Sequence, residues 1–153
     1  MRMKLQTLLG IAAMGWILGC DGEDSHHHHE HDHGHEAPNG GTLVVLGEEA
    51  CHLELLHDAR EGRLTLYAHQ FHPQHVYVKL AMGQIEVNAS AGGPWAMLSL
   101  KPVVNEVLGN TEGRSSEFAA GAPWLKGASN LSGTLLRVEV GGQSFTNKAF
   151  TLR

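Results

Sequence analysis

Histidine is where chemistry concentrates in this chain of 153 residues, with twelve in all and seven of them between His26 and His35. Residues 21–36 read Asp-Gly-Glu-Asp-Ser-His-His-His-His-Glu-His-Asp-His-Gly-His-Glu, seven histidines among six carboxylates and three small residues. Neutral imidazole is the commonest nitrogen ligand for late first-row divalent metals, and an ordinary pKa of about 6.5 leaves most rings deprotonated at neutral pH. His26, His27, His28 and His29 are consecutive, and His29, His31, His33 and His35 continue at spacing two, which puts them on one face of an extended stretch. Three or four rings can therefore gather around one ion, while Glu30, Asp32 and Glu36 lower the cost of drawing in a dication. No thiolate is present, so Zn(II), Cu(II), Ni(II) or Co(II) are favoured over Cu(I), with poor selectivity. The tract has no apolar surface to offset its ordering entropy. It is expected to be disordered without ligand and to buffer ions rather than form a structural centre. A merely solvating spacer would need only Ser, Gly or Pro.

The segment before this tract carries an export address. Arg2 and Lys4 precede a run from Leu5 to Leu18 that is apolar apart from Gln6 and Thr7, a secretory signal pattern. Fourteen residues reach roughly 21 Å as a helix, short of a hydrocarbon core of about 30 Å. Ile17-Leu18-Gly19-Cys20 resembles the lipobox of bacterial lipoproteins, which implies cleavage before Cys20 and its lipidation, a stable membrane anchor. Asp21 resembles an inner-membrane retention signal of enteric bacteria, and the choice between inner and outer membrane stays open. The expected divisions are a signal peptide over 1–19, the lipidated cysteine and disordered tail over 20–36, and a folded domain over 37–153. Loss of Arg2 and Lys4 leaves nine basic against sixteen acidic residues, so the formal charge moves from -5 to about -7. Cys51 is then the one remaining thiol, and its alternation with Leu53 and Leu55 reads as a buried small hydrophobe.

The elements that must position any further site are strands. Apolar and polar residues alternate at Leu64, Leu66 and Ala68 against Thr65 and Tyr67, at Val76, Val78 and Leu80 against Tyr77 and Lys79, and at Leu136, Val138 and Val140 against Arg137 and Glu139. Strands are predicted over 42–46, 51–57, 63–69, 75–80, 84–88, 96–100, 133–140 and 143–152, with Gly141-Gly142 as a two-residue hairpin turn. No segment keeps helical periodicity for three turns. An all-β fold follows, a single β-sandwich over residues 37–153. Residues 104–132, rich in Gly, Ser and Ala, read as a long loop pinned by Phe118, Trp124 and Leu125.

Five histidines belong to this domain: His52, His57, His69, His72 and His75. His52 and Glu54 sit at spacing two on one strand, opposite the face of Cys51, Leu53 and Leu55. His69, His72 and His75 surround a turn at Phe71-His72-Pro73, so the two groups could together supply three or four ligands. The run His35-Glu36-Ala37-Pro38-Asn39-Gly40-Gly41-Thr42-Leu43, then Leu46-Gly47, His52-Leu53-Glu54-Leu55, Gly62-Arg63-Leu64-Thr65-Leu66-Tyr67 and His72, resembles a small periplasmic domain of bacterial lipoproteins and of some heavy-metal efflux adaptor proteins. The resemblance spans roughly residues 33 to 80. It implies periplasmic metal handling and maps His52, Glu54 and His72 onto recurrent positions. Asn39 stands where that family usually has histidine, which weakens the implied site or shifts it to His35.

These features predict a membrane-anchored envelope lipoprotein facing the periplasm. It would bind Zn, Cu or Ni ions for buffering, sequestration or hand-off to transport or efflux components. The alternative is a structural or interaction lipoprotein whose β-sandwich binds an envelope partner, with the tail as tether. Nucleic acid is excluded as a partner by the absence of clustered Lys and Arg. An enzyme is not expected, since no Gly-x-Ser-x-Gly elbow, phosphate loop or His-Glu-x-x-His helix is present.

Overall fold

The computed structural model describes residues 34–153. Cys20 and the tail histidines His26, His27, His28, His29, His31 and His33 lie outside the described residues. Gly34–Arg153 forms one compact unit, so Gly34, His35 and Glu36, expected in the tail, are part of the domain.

The domain is all-β. Its strands are β1 (Thr42–Leu46), β2 (Cys51–Asp58), β3 (Arg63–Gln70), β4 (Val76–Tyr77), β5 (Ile85–Ser90), β6 (Ala96–Pro102), β7 (Glu117–Gly121), β8 (Leu131–Val140) and β9 (Gln143–Leu152). They pair antiparallel in the order β1-β2-β3-β7-β6-β5-β8-β9, and β4 adds to β3. β6 turns the corner: Ala96 to Leu100 pair with β5, whereas Lys101 and Pro102 pair with β7. The ends of the order, β1 and β9, approach each other, and the sheet closes on one core in the manner of a barrel-like sandwich. Leu53, Leu55, Leu64, Leu66 and Phe118 from one side meet Ile85, Val87, Leu100, Leu131 and Leu135 from the other. Gly141 and Gly142 take φ of 58° and 84°, the left-handed pair that the two-residue hairpin between β8 and β9 requires.

Three expectations change. The run over 75–80 pairs with β3 only at Val76 and Tyr77, after which Leu80 bridges to Ser115. The segment read as a long loop contains β7, which joins β3 to β6; Phe118 is fully buried there, and Pro123–Leu125 forms a single 3-10 turn that buries Leu125. In β8 the buried positions are Leu131, Gly133, Leu135 and Val138 rather than Leu136, Val138 and Val140. Leu136 and Asn147 drop out of the ladder, Asn147 taking a left-handed φ of 53° that asparagine tolerates better than most residues. Among the described residues no helix is long and apolar enough to cross a membrane.

Because β7 carries its one large side chain at Phe118, Phe118→Ala should lower unfolding stability by about 3–5 kcal/mol. Urea denaturation checks this, and a midpoint equal to that of the parent chain would mean β7 is not integral to the core.

Candidate metal centre

A half-buried strand should alternate between core and solvent, but β2 is buried on both faces. Cys51, Leu53 and Leu55 enter the core, and His52 and Glu54, on the other face, are 2% and 0% exposed. The register sets out what surrounds them: His52 lies opposite Val45 on β1 and His69 on β3, and His69 lies opposite Tyr77 on β4. The result is a polar layer on the outside of the sheet. The approach to β1 covers part of it. Ala37 to Gly40 make a turn closed by the Gly40 N–H donating to the Ala37 carbonyl, with Pro38 fixing its entry. Gly40 has φ of 78°, and a Cβ on Gly41 would stand 2.5 Å from the Leu55 carbonyl oxygen, so only glycine brings the backbone this close to β2.

That approach delivers donors to the Glu54 carboxylate. The backbone N–H groups of Asn39 and Gly41 each donate to Oε1 at 2.8 Å, and Asn39 Nδ2 donates to Oε2 at 2.8 Å. His69 Nε2 donates to the same Oε2 at 2.9 Å. Four donors occupy both oxygens, which is what a fully buried carboxylate needs. Since the carboxylate accepts at every position, the proton of His69 sits on Nε2 and its Nδ1 is left facing His75 Nε2 at 3.0 Å. Burial holds the His69 pKa below the ordinary histidine value, against the opposing pull of Glu54, so the ring is neutral at neutral pH.

A second group forms where the end of the tail tract meets the loop after β3. His35, Glu49 and His72 each offer a ligand atom, and these atoms all lie within 4.8 Å of one another. His72 Nε2 is 3.6 Å from Glu49 Oε2. The His35 ring stacks on Phe71, with centroids 4.3 Å apart and planes 3° from parallel. His52 meets both rings edge-on, at 5.1 Å from His35 and 4.8 Å from Phe71. His35 Nε2 and His52 Nδ1 are buried and have no hydrogen-bond partner among the described residues. Burial, together with the neighbouring His35, holds the His52 pKa below its ordinary value. Imidazole nitrogens beside a carboxylate are the donor set that late divalent metals take.

The sequence-predicted residues thus separate. His35 and His72 converge, with His52 behind them, whereas Glu54 is engaged by Asn39, Gly41 and His69. Asn39, at the position where histidine was expected, serves that carboxylate. His57 donates through Nε2 to the Leu125 carbonyl at 2.9 Å and braces the 3-10 turn. Cys51 is fully buried, and burial pushes its thiol up to about 11, which leaves no thiolate for a soft metal. Glu49 escaped the sequence reading because it sits in the turn between β1 and β2, with φ of 60° and no periodicity to mark it. The link from His69 to Glu54 was accessible in principle: extending the alternation of Thr65 and Tyr67 by one step places His69 on the polar face.

Glu54→Gln replaces an acceptor with an amide donor facing His69 and Asn39, so it should cost about 1–3 kcal/mol. Chemical denaturation measures this, and an unchanged midpoint would mean the carboxylate is not needed. The lowered pKa values of His52 and His69 also fix a pH dependence. Both rings take protons more readily when unfolded, so their contribution is present above about pH 6.5 and is lost as pH falls below it. Denaturation midpoints of the metal-free chain should fall on acidification through that value, and a rise would contradict burial of neutral rings.

Comparison with protein-family models, with curated proteins and with solved structures gave no match to this chain.

Proposed function

We propose that this chain is an envelope lipoprotein, anchored through Cys20, that binds divalent Zn, Cu or Ni ions for buffering, sequestration or hand-off to transport or efflux components. The observation that carries the reading is the convergence of His35, Glu49 and His72 within 4.8 Å, on the domain that directly follows the histidine tract. Ligand atoms around a tetrahedral ion at about 2.0–2.1 Å stand roughly 3.3 Å apart, so no pair in the group needs to close by more than about 1.5 Å. His72 is exposed in a loop and Glu49 half-buried in a turn, positions from which such a shift is small. The buried Nε2 of His35, which has no hydrogen-bond partner among the described residues, supports this reading, since an ion could satisfy it. His35 is both the last histidine of the tract and a member of this group. The charge of -5 favours cations over anions.

The docking alternative draws on exposed apolar side chains, Trp95 just before β6, Met97 within it and Val107 in the loop before β7. The two readings differ in what the domain does without its tail histidines. In a full chain carrying His26→Ser, His27→Ser, His28→Ser, His29→Ser, His31→Ser and His33→Ser, calorimetry with Zn(II) should still detect sub-micromolar binding. His72→Ala in that background should weaken that binding at least tenfold. Complete loss of binding on silencing the tail would leave the domain without a metal role and favour docking.

A further inference from the structure

The pair His69 and His75 lies outside the group just described. We propose that these two residues form a second divalent-metal site, binding through His69 Nδ1 and His75 Nε2, with Glu54 as the carboxylate that orients His69. The inference shares its cargo with the proposed function but rests on different residues.

The tautomer comes first. A metal-ligating histidine characteristically donates its other ring N–H to a carboxylate, which fixes ring orientation and raises ligand basicity. His69 does this through Nε2 at 2.9 Å from Glu54, and both side chains are fully buried. Glu54 cannot swing away without stranding Asn39, Gly41 and His69 together, so the Nδ1 lone pair is aimed in advance.

Distance comes second. Two nitrogens bound to one ion at about 2.0–2.1 Å are roughly 2.9 Å apart at a right angle and roughly 3.3 Å apart at the tetrahedral angle. His69 Nδ1 and His75 Nε2 are 3.0 Å apart, within a few tenths of an ångström of either. In the absence of an ion the His75 Nε2–H donates to His69 Nδ1. For His75 to ligate through Nε2 that proton moves, by exchange with solvent, to His75 Nδ1, so a neutral ring binds, and small rotations turn the two lone pairs toward the ion. His75 is exposed, so the ion enters from solvent and waters complete its coordination. The near-right-angle spacing, with two imidazoles and no thiolate, suits Cu(II) or Ni(II) at least as well as Zn(II).

Phe71 touches both groups: its ring stacks with His35 at 4.3 Å and with His75 at 5.3 Å.

The test uses the tail-silenced full chain and Zn(II), which keeps the protein diamagnetic. Calorimetry should give two equivalents of Zn(II), and long-range 1H–15N spectra at saturation should show metal-bound shifts at His69 Nδ1 and His75 Nε2. His75→Ala removes an exposed side chain and should reduce two equivalents to one, whereas His72→Ala should remove the other. Two equivalents surviving His75→Ala, or an unmoved His69 Nδ1 at saturation, would overturn the second site and show the His69–His75 contact to be a hydrogen bond only. One equivalent lost with His72→Ala alone would overturn this inference and leave the proposed function standing; one lost with His75→Ala alone would do the reverse for the first site. No uptake at all would overturn both.

Discussion

A buried carboxylate organises the outer face of this domain. An ionised group taken out of water is costly unless its lone pairs are met, and Glu54 is fully enclosed. Meeting that requirement explains several sequence features at once. Pro38 and Gly40 turn the chain, Gly41 lets the backbone lie against β2, and Asn39 contributes both a backbone and a side-chain donor. The fourth donor is His69, which thereby acquires a fixed tautomer. The same interaction docks the start of the domain, including His35, over the sheet.

The chemistry that results comes from placement more than from any single motif. His52 and His69 face each other across β2 and β3, and the loop after β3 returns His72 and His75 to the same surface. Phe71 stands among them, its ring in contact with those of His35, His52, His69 and His75. Burial there holds the His52 and His69 pKa values below the ordinary histidine value, which favours neutral rings that keep their lone pairs.

Much of the architecture was legible in the sequence because period-two alternation has a direct physical cause. Thr42–Leu46 and Gln143–Leu152 are predicted to the residue, and Gly141-Gly142 makes the hairpin expected of it. β7 was hidden because Glu-Phe-Ala-Ala-Gly carries one large apolar residue and lacks the β-branched side chains that mark strands. Alternation also assigned His52 and Glu54 to one face correctly. It could not reveal that residues 35–41 would cover that face, because the covering segment has no strand pattern and is held by hydrogen bonds to a side chain. Spacing along the chain reports which way a residue points; what it meets there depends on register between strands, and on turns such as the one carrying Glu49.

Cys51 gives this arrangement a built-in clock. The thiol is enclosed in the core at the start of β2, next to His52 and three residues before Glu54. A reagent can reach it only when that end of the strand opens, and the raised pKa keeps it unreactive until then. The rate of thiol modification therefore reports how often β2 parts from its neighbours. An ion that ties His35 or His72 to the surface beside β2 would slow that rate without touching sulfur, so occupancy of the outer face becomes readable from the kinetics of a buried atom on the inner one.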